Sequence, residues 1–397
     1  MNKQFSWSKA LILTLTHVGV AAIAVAIALL FFGRSNDPGM QKLEQLADYI
    51  DRYHVDNPDM QDVYDYAAAG MVAGTGDRWS YYVSAGEMAA YNDSKHNSYV
   101  GIGVTVQTRE DESGIDILAV TPGGPAHGAG VLPGDVIIGV DGKDLPQISV
   151  TELSDQIRGE ENTDVKIKVL RREETLEFTI TRKRIEVKVA QGKLLDGNVG
   201  YIKIANFNEK CSDETIAAIE DLIRQGAEYL VFDVRGNPGG YKDEMVKVLD
   251  YLLPSGILFK SVDYTGLEEV DTSDDNCLEM PMAVLIDGES YSAAEFFAAA
   301  LEEYNWAITG GAPTVGKGHM QVTLDLDDGS AVALSIAKYY TPKGVSLEDQ
   351  GGLVPQISVE VDAQTAALIA SDLVSPEEDP QLQAVIGVLT GKSQENP

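Results

Sequence analysis

Residues 229–240 have the sequence YLVFDVRGNPGG, an apolar run that passes directly into a turn with three glycines. Four consecutive apolar residues are typical of a strand that is buried on both faces of a sheet. A second such run, residues 283–286, leads into the turn DGESYSAAE of residues 287–295. Helical patterns cover residues 212–224, 243–253 and 292–304. This alternation of strands and helices predicts an α/β core.

Both turns place polar groups at the carboxyl end of a strand, where active sites gather in open α/β sheets. The glycines permit a backbone path with outward N–H groups, which a developing oxyanion needs. Ser292 opens the helix after the second turn, and with Glu295 it equally fits an ordinary capping box. Lys317 lies between two glycines, and a neutral amine there can take the proton of a serine hydroxyl. Gln321, four residues on, is placed to hold that amine.

The order and spacing of four features agree with one family. They are the glycine turn at 235–240, Ser292, Lys317 twenty-five residues later, and Gln321. They resemble the carboxyl-terminal processing peptidases, the tail-specific proteases, and the resemblance covers residues 40–375. It implies a mixed α/β (α+β) fold, in which a crotonase-like serine protease core carries a PDZ domain. It implies neither a cofactor nor a metal.

The resemblance also assigns roles to individual residues. Ser292 is the nucleophile, Lys317 the general base and Gln321 the partner that orients the base. The implied oxyanion hole consists of backbone N–H groups of the glycine turn and of the residue after the nucleophile: Gly239, Gly240 and Ala293.

Three positions around the site depart from the family pattern. Tyr291 and Ala294 replace a small residue and a second serine beside the nucleophile, and Ser290 matches the family's preceding, non-nucleophilic serine. His319 lies where a threonine is common. His319 is therefore an alternative candidate for the base.

Residues 97–184 differ in character from the α/β core. A glycine-punctuated strand at 99–106, turn signals at 121–125 and a capping box at Ser149 precede a predicted hairpin at 165–181. This segment resembles a PDZ domain of the permuted bacterial kind, and a β-rich packing domain without a ligand is the alternative. The resemblance implies that a peptide adds as a strand, with its terminal carboxylate bound by backbone N–H groups and its last side chain in an apolar pocket. The N–H groups are those of Ile102, Gly103 and Val104, and the pocket residues are Leu153 and Ile157.

Residues 10–32 contain no charged side chain and are long enough to span a bilayer. We expect residues 1–34 to be a cytoplasmic stub and an uncleaved single-pass anchor, with a cleaved signal peptide as the alternative. The rest of the chain would then lie outside the cytoplasm, at the cell membrane. We expect a helical region at 40–96, the PDZ domain at 97–184, the protease core at 185–375 and a tail at 376–397. The tail would either pack or support a homodimer.

The composition excludes several classes of function. A net charge of -32 repels phosphate backbones, so nucleic acid is not an expected partner. The five histidines are scattered, and the two cysteines have no metal-ligand spacing. Cys211 and Cys277 either pair in an oxidising compartment or remain free thiols.

The predicted function is that of a membrane-anchored serine endopeptidase. Its substrates would be extracytoplasmic proteins or peptides with apolar C-terminal ends. The PDZ domain would either recognise these ends or gate the activity of the protease. The alternative is a catalytically silent PDZ scaffold that binds protein tails. The presence of Ser292, Lys317 and Gln321 in register argues against that alternative.

Overall fold

The computed structural model describes residues 37–391, except 110–113 and 146–148. The chain divides into two compact units, one ending at Asp77 and the other beginning at Arg78. The expected membrane anchor at 10–32 lies outside the described residues. Among the helices within the described ranges, none is both long and apolar enough to cross a membrane.

The described part of the first unit contains two helices, α1 (Pro38–Tyr53) and α2 (Met60–Ala73). An aspartate side chain caps each helix, Asp37 at α1 and Asp59 at α2, by accepting from backbone N–H groups of the first turn. No residue of either helix is buried.

The second unit begins with β1 (Tyr81–Val83), α3 (Met88–Lys95) and β2 (Ser98–Gly101). The region at 40–96, expected to be helical, therefore also contains a strand. Its part from Arg78 onward belongs to the second unit.

A small antiparallel sheet with two helices follows. Its elements are β3 (Val104–Thr108), β4 (Ile115–Val120), α4 (Pro125–Ala129), β5 (Val136–Val140), β6 (Lys143–Asp144), α5 (Val150–Ile157), β7 (Asp164–Arg171) and β8 (Glu174–Thr181). The strand order is β3–β4–β5–β7–β8, with β6 beside β5. Alternate side chains of these strands and the apolar face of α5 form a core separate from that of the rest of the chain. The expected capping box of Ser149 and Glu152 begins α5.

A two-stranded ribbon joins this small domain to the rest of the second unit. β9 (Lys183–Glu186) pairs antiparallel with β2, and Gly101 lies opposite Lys183. Arg184 on β9 donates hydrogen bonds to Asp93 of α3 and to the Ser98 hydroxyl. Both ends of the small domain therefore leave through the same ribbon.

The larger part of the unit is an α/β structure. Its elements are β10 (Ala190–Leu195), β11 (Val199–Ile204), α6 (Cys211–Gln225), β12 (Tyr229–Asp233), α7 (Lys242–Leu252), β13 (Gly256–Asp263), β14 (Glu268–Ser273), β15 (Met282–Ile286), α8 (Ala293–Glu303), β16 (Ala307–Gly311), β17 (His319–Asp325), β18 (Ala331–Tyr340), α9 (Leu347–Gln350), β19 (Ile357–Ser358), α10 (Ala363–Ala370) and α11 (Pro380–Leu389). The main sheet has the order β10–β11–β12–β15–β16–β19 and is parallel from β11 to β19.

Both faces of the main sheet are covered, as the continuous apolar strands predict. Helices α6, α7 and α8 pack on one face, against Phe232 and Val284 among others. On the other face, Leu382 and Val385 of α11 pack against Val231. The tail at 376–397 thus packs on the core in its described part.

A second, antiparallel sheet has the order β1–β18–β13–β14, with β17 beside β18. It packs on α8, where the Phe296 ring lies 4.9 Å from the Phe259 ring and 5.9 Å from the Tyr339 ring, between centroids. Cys211 is buried, Cys277 is half-buried, and no disulfide joins them. Of the two possibilities left open for the cysteines, the structure has free thiols.

Candidate active site

The predicted site residues converge on one cavity of about 1070 Å³ in the second unit. Ser292 lies in its wall together with all the other residues predicted for the core site: Lys317, Gln321, Gly239, Gly240, Ala293 and the alternative base His319. The residues predicted to bind a peptide tail do not line this cavity. The structure therefore brings together the two turns and the lysine segment, which are far apart in sequence.

Ser292 occupies the sharp turn between β15 and α8. Its backbone angles, φ 60° and ψ −125°, lie in a region that side-chain-bearing residues rarely adopt. Such strained residues persist where the surroundings fix them, and they cluster at active sites. Here the Ser292 N–H donates to the Glu295 carboxylate at 2.9 Å, and the half-buried side chain faces the cavity.

Ser290 has a different environment. Its side chain is fully buried, and its hydroxyl donates to the Val234 carbonyl at 2.7 Å and accepts from the Asp287 N–H at 3.0 Å. The hydroxyl thus joins the nucleophile turn to the glycine turn. These bonds agree with a serine that is not the nucleophile.

The glycine turn approaches Ser292 closely. A Cβ added to Gly239 would lie 2.7 Å from the Ser292 Cβ and 2.9 Å from the Ala293 nitrogen, and φ at Gly239 is +86°. Glycine is required here both for space and for the left-handed backbone. The turn is further fixed by the Tyr291 N–H, which donates to the Asn237 carbonyl at 3.2 Å.

The expected oxyanion hole needs one correction. The Gly239 N–H donates to Asn237 Oδ1 at 2.8 Å, so in this structure it is not available to an oxyanion. The bond spans two residues and is a local Asx pattern, so the asparagine two residues before Gly239 is the sequence signal that could have predicted it. The Ala293 N–H lies in the first turn of α8, where amides have no intrahelical acceptor.

Lys317 lies in the wall of the same cavity, between Gly316 and Gly318. Its Nζ is 5.2 Å from the Trp79 ring centroid and 5.9 Å from that of Tyr291. These two rings stack on each other with centroids 6.3 Å apart. The half-buried amine is therefore held beside an aromatic pair, one member of which, Tyr291, directly precedes Ser292.

Glu295 is a site residue whose role the sequence does not reveal. Its carboxylate is fully buried and accepts four hydrogen bonds. Oε2 accepts from the backbone N–H groups of Ser292 and Lys317, both at 2.9 Å. Oε1 accepts from the Gly316 N–H at 2.6 Å and from the Thr314 hydroxyl at 2.5 Å. Sequence indicates a capping box, but the bonds to residues 314–317 form only in the folded chain.

Tyr339 is a second residue that the sequence pattern misses. Its hydroxyl donates to the Lys317 carbonyl, and its side chain also interacts with that of Ser292. Burial raises the pKa of Tyr339 far above its usual range, so the hydroxyl stays protonated and remains a donor. Tyr339 thus contacts both predicted catalytic residues from β18.

Gln321 and His319 lie on β17. The Gln321 amide donates to the His319 carbonyl at 2.9 Å and to the Ser335 hydroxyl at 3.0 Å. His319 Nδ1 lies 3.0 Å from Glu348 Oε2 of α9, an ion-pair distance without hydrogen-bond alignment. His319 is thus paired with an acidic residue outside the predicted dyad.

The predicted peptide-tail site lies in the small domain. β3 is an edge strand: in the described part of the chain it pairs with β4 alone, and α5 lies beside it. The side chains of Ile102, Leu153 and Ile157 are buried in the domain core. In this structure the apolar face of α5, with Leu153 and Ile157, packs on the domain core, and the role of these two residues in a ligand pocket stays a prediction.

Known protein families match both the α/β core and the small domain of this chain. Residues 198–359 match the model of peptidase family S41, and residues 117–171 match a PDZ domain. The chain is 31% identical over 356 residues to the carboxy-terminal processing protease CtpA of Bacillus subtilis, covering 86% of this chain and 75% of that protein. It is 30% identical over 352 residues to a probable CtpA-like serine protease of Staphylococcus aureus, covering 86% of this chain and 70% of that protein.

The fold is also similar to that of a putative S41 protease from Bacteroides fragilis. The TM-score is 0.52 at 18% identity, over 75% of this chain and 84% of that one. At this identity the likeness concerns the fold alone. The relatives at 30% identity or more carry the assignment: the chain is a serine-type peptidase of family S41, belongs with the carboxy-terminal processing proteases and contains a PDZ domain.

Proposed function

We propose that Ser292 and Lys317 are the catalytic dyad of a serine endopeptidase. The observation that carries this proposal is the bridge made by Glu295, which accepts from the backbone N–H groups of both residues. A single buried carboxylate thereby fixes the nucleophile turn and the lysine loop relative to each other. Both side chains line the same cavity.

The proposed reaction proceeds through an acyl-enzyme. The neutral Lys317 amine takes the proton of the Ser292 hydroxyl, and the Ser292 oxygen attacks the carbonyl carbon of the scissile bond. The N–H groups of Gly240 and Ala293 would stabilise the oxyanion. The Lys317 ammonium then gives the proton to the leaving amine. In the second half of the reaction, water attacks the Ser292 ester, and Lys317 takes the proton of the water and passes it to the Ser292 oxygen. No cofactor takes part in these steps.

We assign Gln321 the role of orienting the lysine. Its amide nitrogen is committed to two acceptors on β17 and β18, which leaves Oε1 as the atom that would accept from the Lys317 amine. His319 is the weaker candidate for the base, because its ring is turned to Glu348.

We propose that the PDZ domain recognises the C-terminal ends of substrates, or gates activity when it binds them. The support is the edge strand β3, whose second edge is open to an added peptide strand. The backbone at Ile102, Gly103 and Val104 remains the proposed carboxylate site. The Gly103 carbonyl is already bonded to the Thr121 N–H at 2.9 Å, which fixes the loop without using its donors.

The location of the protein is also a proposal. The uncharged residues 10–32 support a single-pass membrane anchor, with the catalytic unit on the extracytoplasmic side. Substrates would then be extracytoplasmic proteins with apolar ends. We also propose that the mainly parallel sheet with its covering helices is a crotonase-like core. A homodimer remains an additional proposal.

The test separates a protease from a catalytically silent scaffold. Ser292→Ala and Lys317→Ala should each lower the rate of peptide hydrolysis at least about a thousandfold, because nucleophile and base act as a unit. Ser292→Ala should also abolish labelling by a serine-directed fluorophosphonate. His319→Ala is the control and should retain most of the activity. An active Lys317→Ala together with an inactive His319→Ala would show that the base is His319.

A further inference from the structure

Lys95, a lysine of the active-site cavity, lacks an acidic partner in the described part of the chain. Lys95, the last residue of α3, lines the same cavity as Ser292. Among the residues that the structure describes, Lys95 forms no ion pair. Two other lysines of this cavity are paired: Lys242 Nζ is 2.7 Å from a Glu269 oxygen, and Lys247 Nζ is 3.1 Å from a Glu244 oxygen. In a chain of net charge -32, the missing partner at Lys95 is not explained by a shortage of carboxylates.

Two tyrosines hold the Lys95 amine. Its Nζ is 5.4 Å from the Tyr91 ring centroid and 5.6 Å from that of Tyr241. Cation–π contacts of this kind position an ammonium group but do not neutralise its charge. The amine therefore keeps the capacity to bind an anion in the cavity.

Both tyrosines are fixed to elements of the active site. The Tyr91 and Thr323 hydroxyls share a hydrogen bond of 2.7 Å, and Thr323 lies on β17, two residues after Gln321. Tyr241 directly follows Gly240, and its N–H donates to the Phe207 carbonyl at 2.7 Å. The tyrosine pair is thus built into the cavity wall next to the proposed oxyanion loop.

An extended peptide advances about 3.3 Å per residue. If a peptide substrate bound at Ser292 follows the glycine turn past Tyr241, it runs toward Lys95. A substrate group that lies a few residues away from the scissile bond would then reach the Lys95 amine. The ammonium is a compact point charge and accepts a carboxylate in many orientations. A neutral amide at the same place would gain much less.

We propose that Lys95, held by Tyr91 and Tyr241, is a subsite for a substrate carboxylate a few residues from the scissile bond. This rests on the proposed function, in which Ser292 acts on peptides in this cavity. The carboxylate is either the free C-terminus of the substrate or an aspartate or glutamate side chain. Lys95 then makes the protease prefer to cut either a few residues from the free C-terminus or a few residues from an acidic side chain.

The test measures peptide binding to the full chain carrying Ser292→Ala, which separates binding from hydrolysis. Three apolar peptides of one sequence are compared: one with a free carboxyl end, one amidated, and one amidated with an aspartate near its end. We expect about tenfold tighter binding of at least one carboxylate peptide than of the neutral one. Lys95→Met should reduce that difference to what the PDZ domain contributes and leave the affinity for the neutral peptide unchanged. A preference for the free end that Lys95→Met lowers identifies the terminus as the ligand, and a preference for aspartate that Lys95→Met lowers identifies a side chain.

Lys247→Met is the matched control, since it removes a cation of the same cavity that is already paired, and it should keep the preference. The PDZ domain contributes equally before and after Lys95→Met, so it cancels in the comparison. A preference that is undiminished by Lys95→Met, equal binding of all three peptides, or no binding at millimolar peptide would overturn the proposal. Failure of the protein with Ser292 intact to cleave the neutral peptide would instead count against the proposed function.

Discussion

At the scale of single residues, the candidate site depends on neighbours that fix the strained backbone of Ser292, the proposed nucleophile. Ser292 has a positive φ, and its neighbours determine this conformation: Gly239 leaves room for it and Glu295 bonds its N–H. Such strain costs on the order of 1–3 kcal/mol and must be offset by the surrounding contacts. Substitutions that leave the reacting groups intact should therefore still affect the rate.

Glu295→Gln is the first such change. The amide nitrogen of glutamine cannot accept a hydrogen bond. The variant therefore keeps the shape of the side chain but loses acceptors for the Ser292 or Lys317 N–H groups. We expect kcat to fall about a hundredfold with little change in KM, because the two proposed catalytic residues shift relative to each other. The control is Glu303→Gln on the same helix, which accepts from Thr341 and from the Lys343 N–H. The control should lose stability but keep kcat, and equal kcat values for both variants would contradict a positioning role of Glu295.

Gly239→Ala and Gly236→Ala form a second pair. Both glycines have positive φ, +86° and +69°, so either substitution should destabilise the protein by about 1 kcal/mol. Only the Cβ at 239 would meet Ser292, at 2.7 Å, whereas at 236 nothing lies within 4 Å. Steady-state kinetics should therefore show a large loss of kcat for Gly239→Ala and near-normal kcat for Gly236→Ala. A similar kcat in the two variants would show that the close approach is unimportant.

At the scale of elements, the glycine turn is tied to the C-terminal helix. Arg235, which begins the turn, is buried and donates to Asp233 at 2.6 Å and to Asp379 at 2.7 Å. Asp379 caps α11, whose other side packs on the main sheet. A buried arginine between two carboxylates thus couples the end of β12, the oxyanion turn and the last helix.

This coupling predicts a component of acid unfolding. Burial by itself would raise the pKa of Asp233, but the charge and hydrogen bonds of Arg235 hold it below its usual range. A depressed folded pKa contributes stability above the unfolded value of about 3.9, and this stability is lost as pH falls through the folded value. Urea unfolding from pH 7 down to about pH 2 should therefore show a steeper acid loss in the wild type than in Asp233→Asn. Parallel pH profiles of the two proteins would exclude Asp233 as a source of this loss.

At the scale of the whole molecule, the chain enters the PDZ domain from β2 and leaves it into β9, the two strands of one ribbon. Arg184 of the ribbon bonds to Asp93 of α3, and α3 also carries Lys95 of the cavity wall. A change in the ribbon can therefore reach the cavity through a short chain of contacts. We favour a switch, in which a bound tail shifts the domain population, over a simple tether.

Removing the domain tests the switch. Residues 102–182 can be replaced by a short Gly-Ser turn, because Gly101 and Lys183 are partners across the ribbon. We expect the shortened protein to fold and to cleave unfolded proteins with less selectivity, as measured by mass spectrometry of the products. A tether would instead show a raised KM for tailed substrates and unchanged cleavage of short peptides. A folded but inactive core would exclude an inhibitory domain and would indicate one that is required for activation.

The sequence by itself determined the α/β core and the spacing of Ser292, Lys317 and Gln321. Buried strands have continuous apolar runs, and helices begin at recognisable caps, so these features depend on neighbouring residues. The short strand β1 escaped prediction because three residues carry no periodic signal, and its partner β18 lies some 250 residues later.

Only the tertiary structure decided what surrounds the catalytic residues. Glu295 and Tyr339 reach Lys317 through bonds between distant segments, and Lys95 lies in the same cavity through the packing of α3 beside β17 and the glycine turn. Hydrogen bonds and shared cavities depend on three-dimensional distance, which local sequence patterns do not encode.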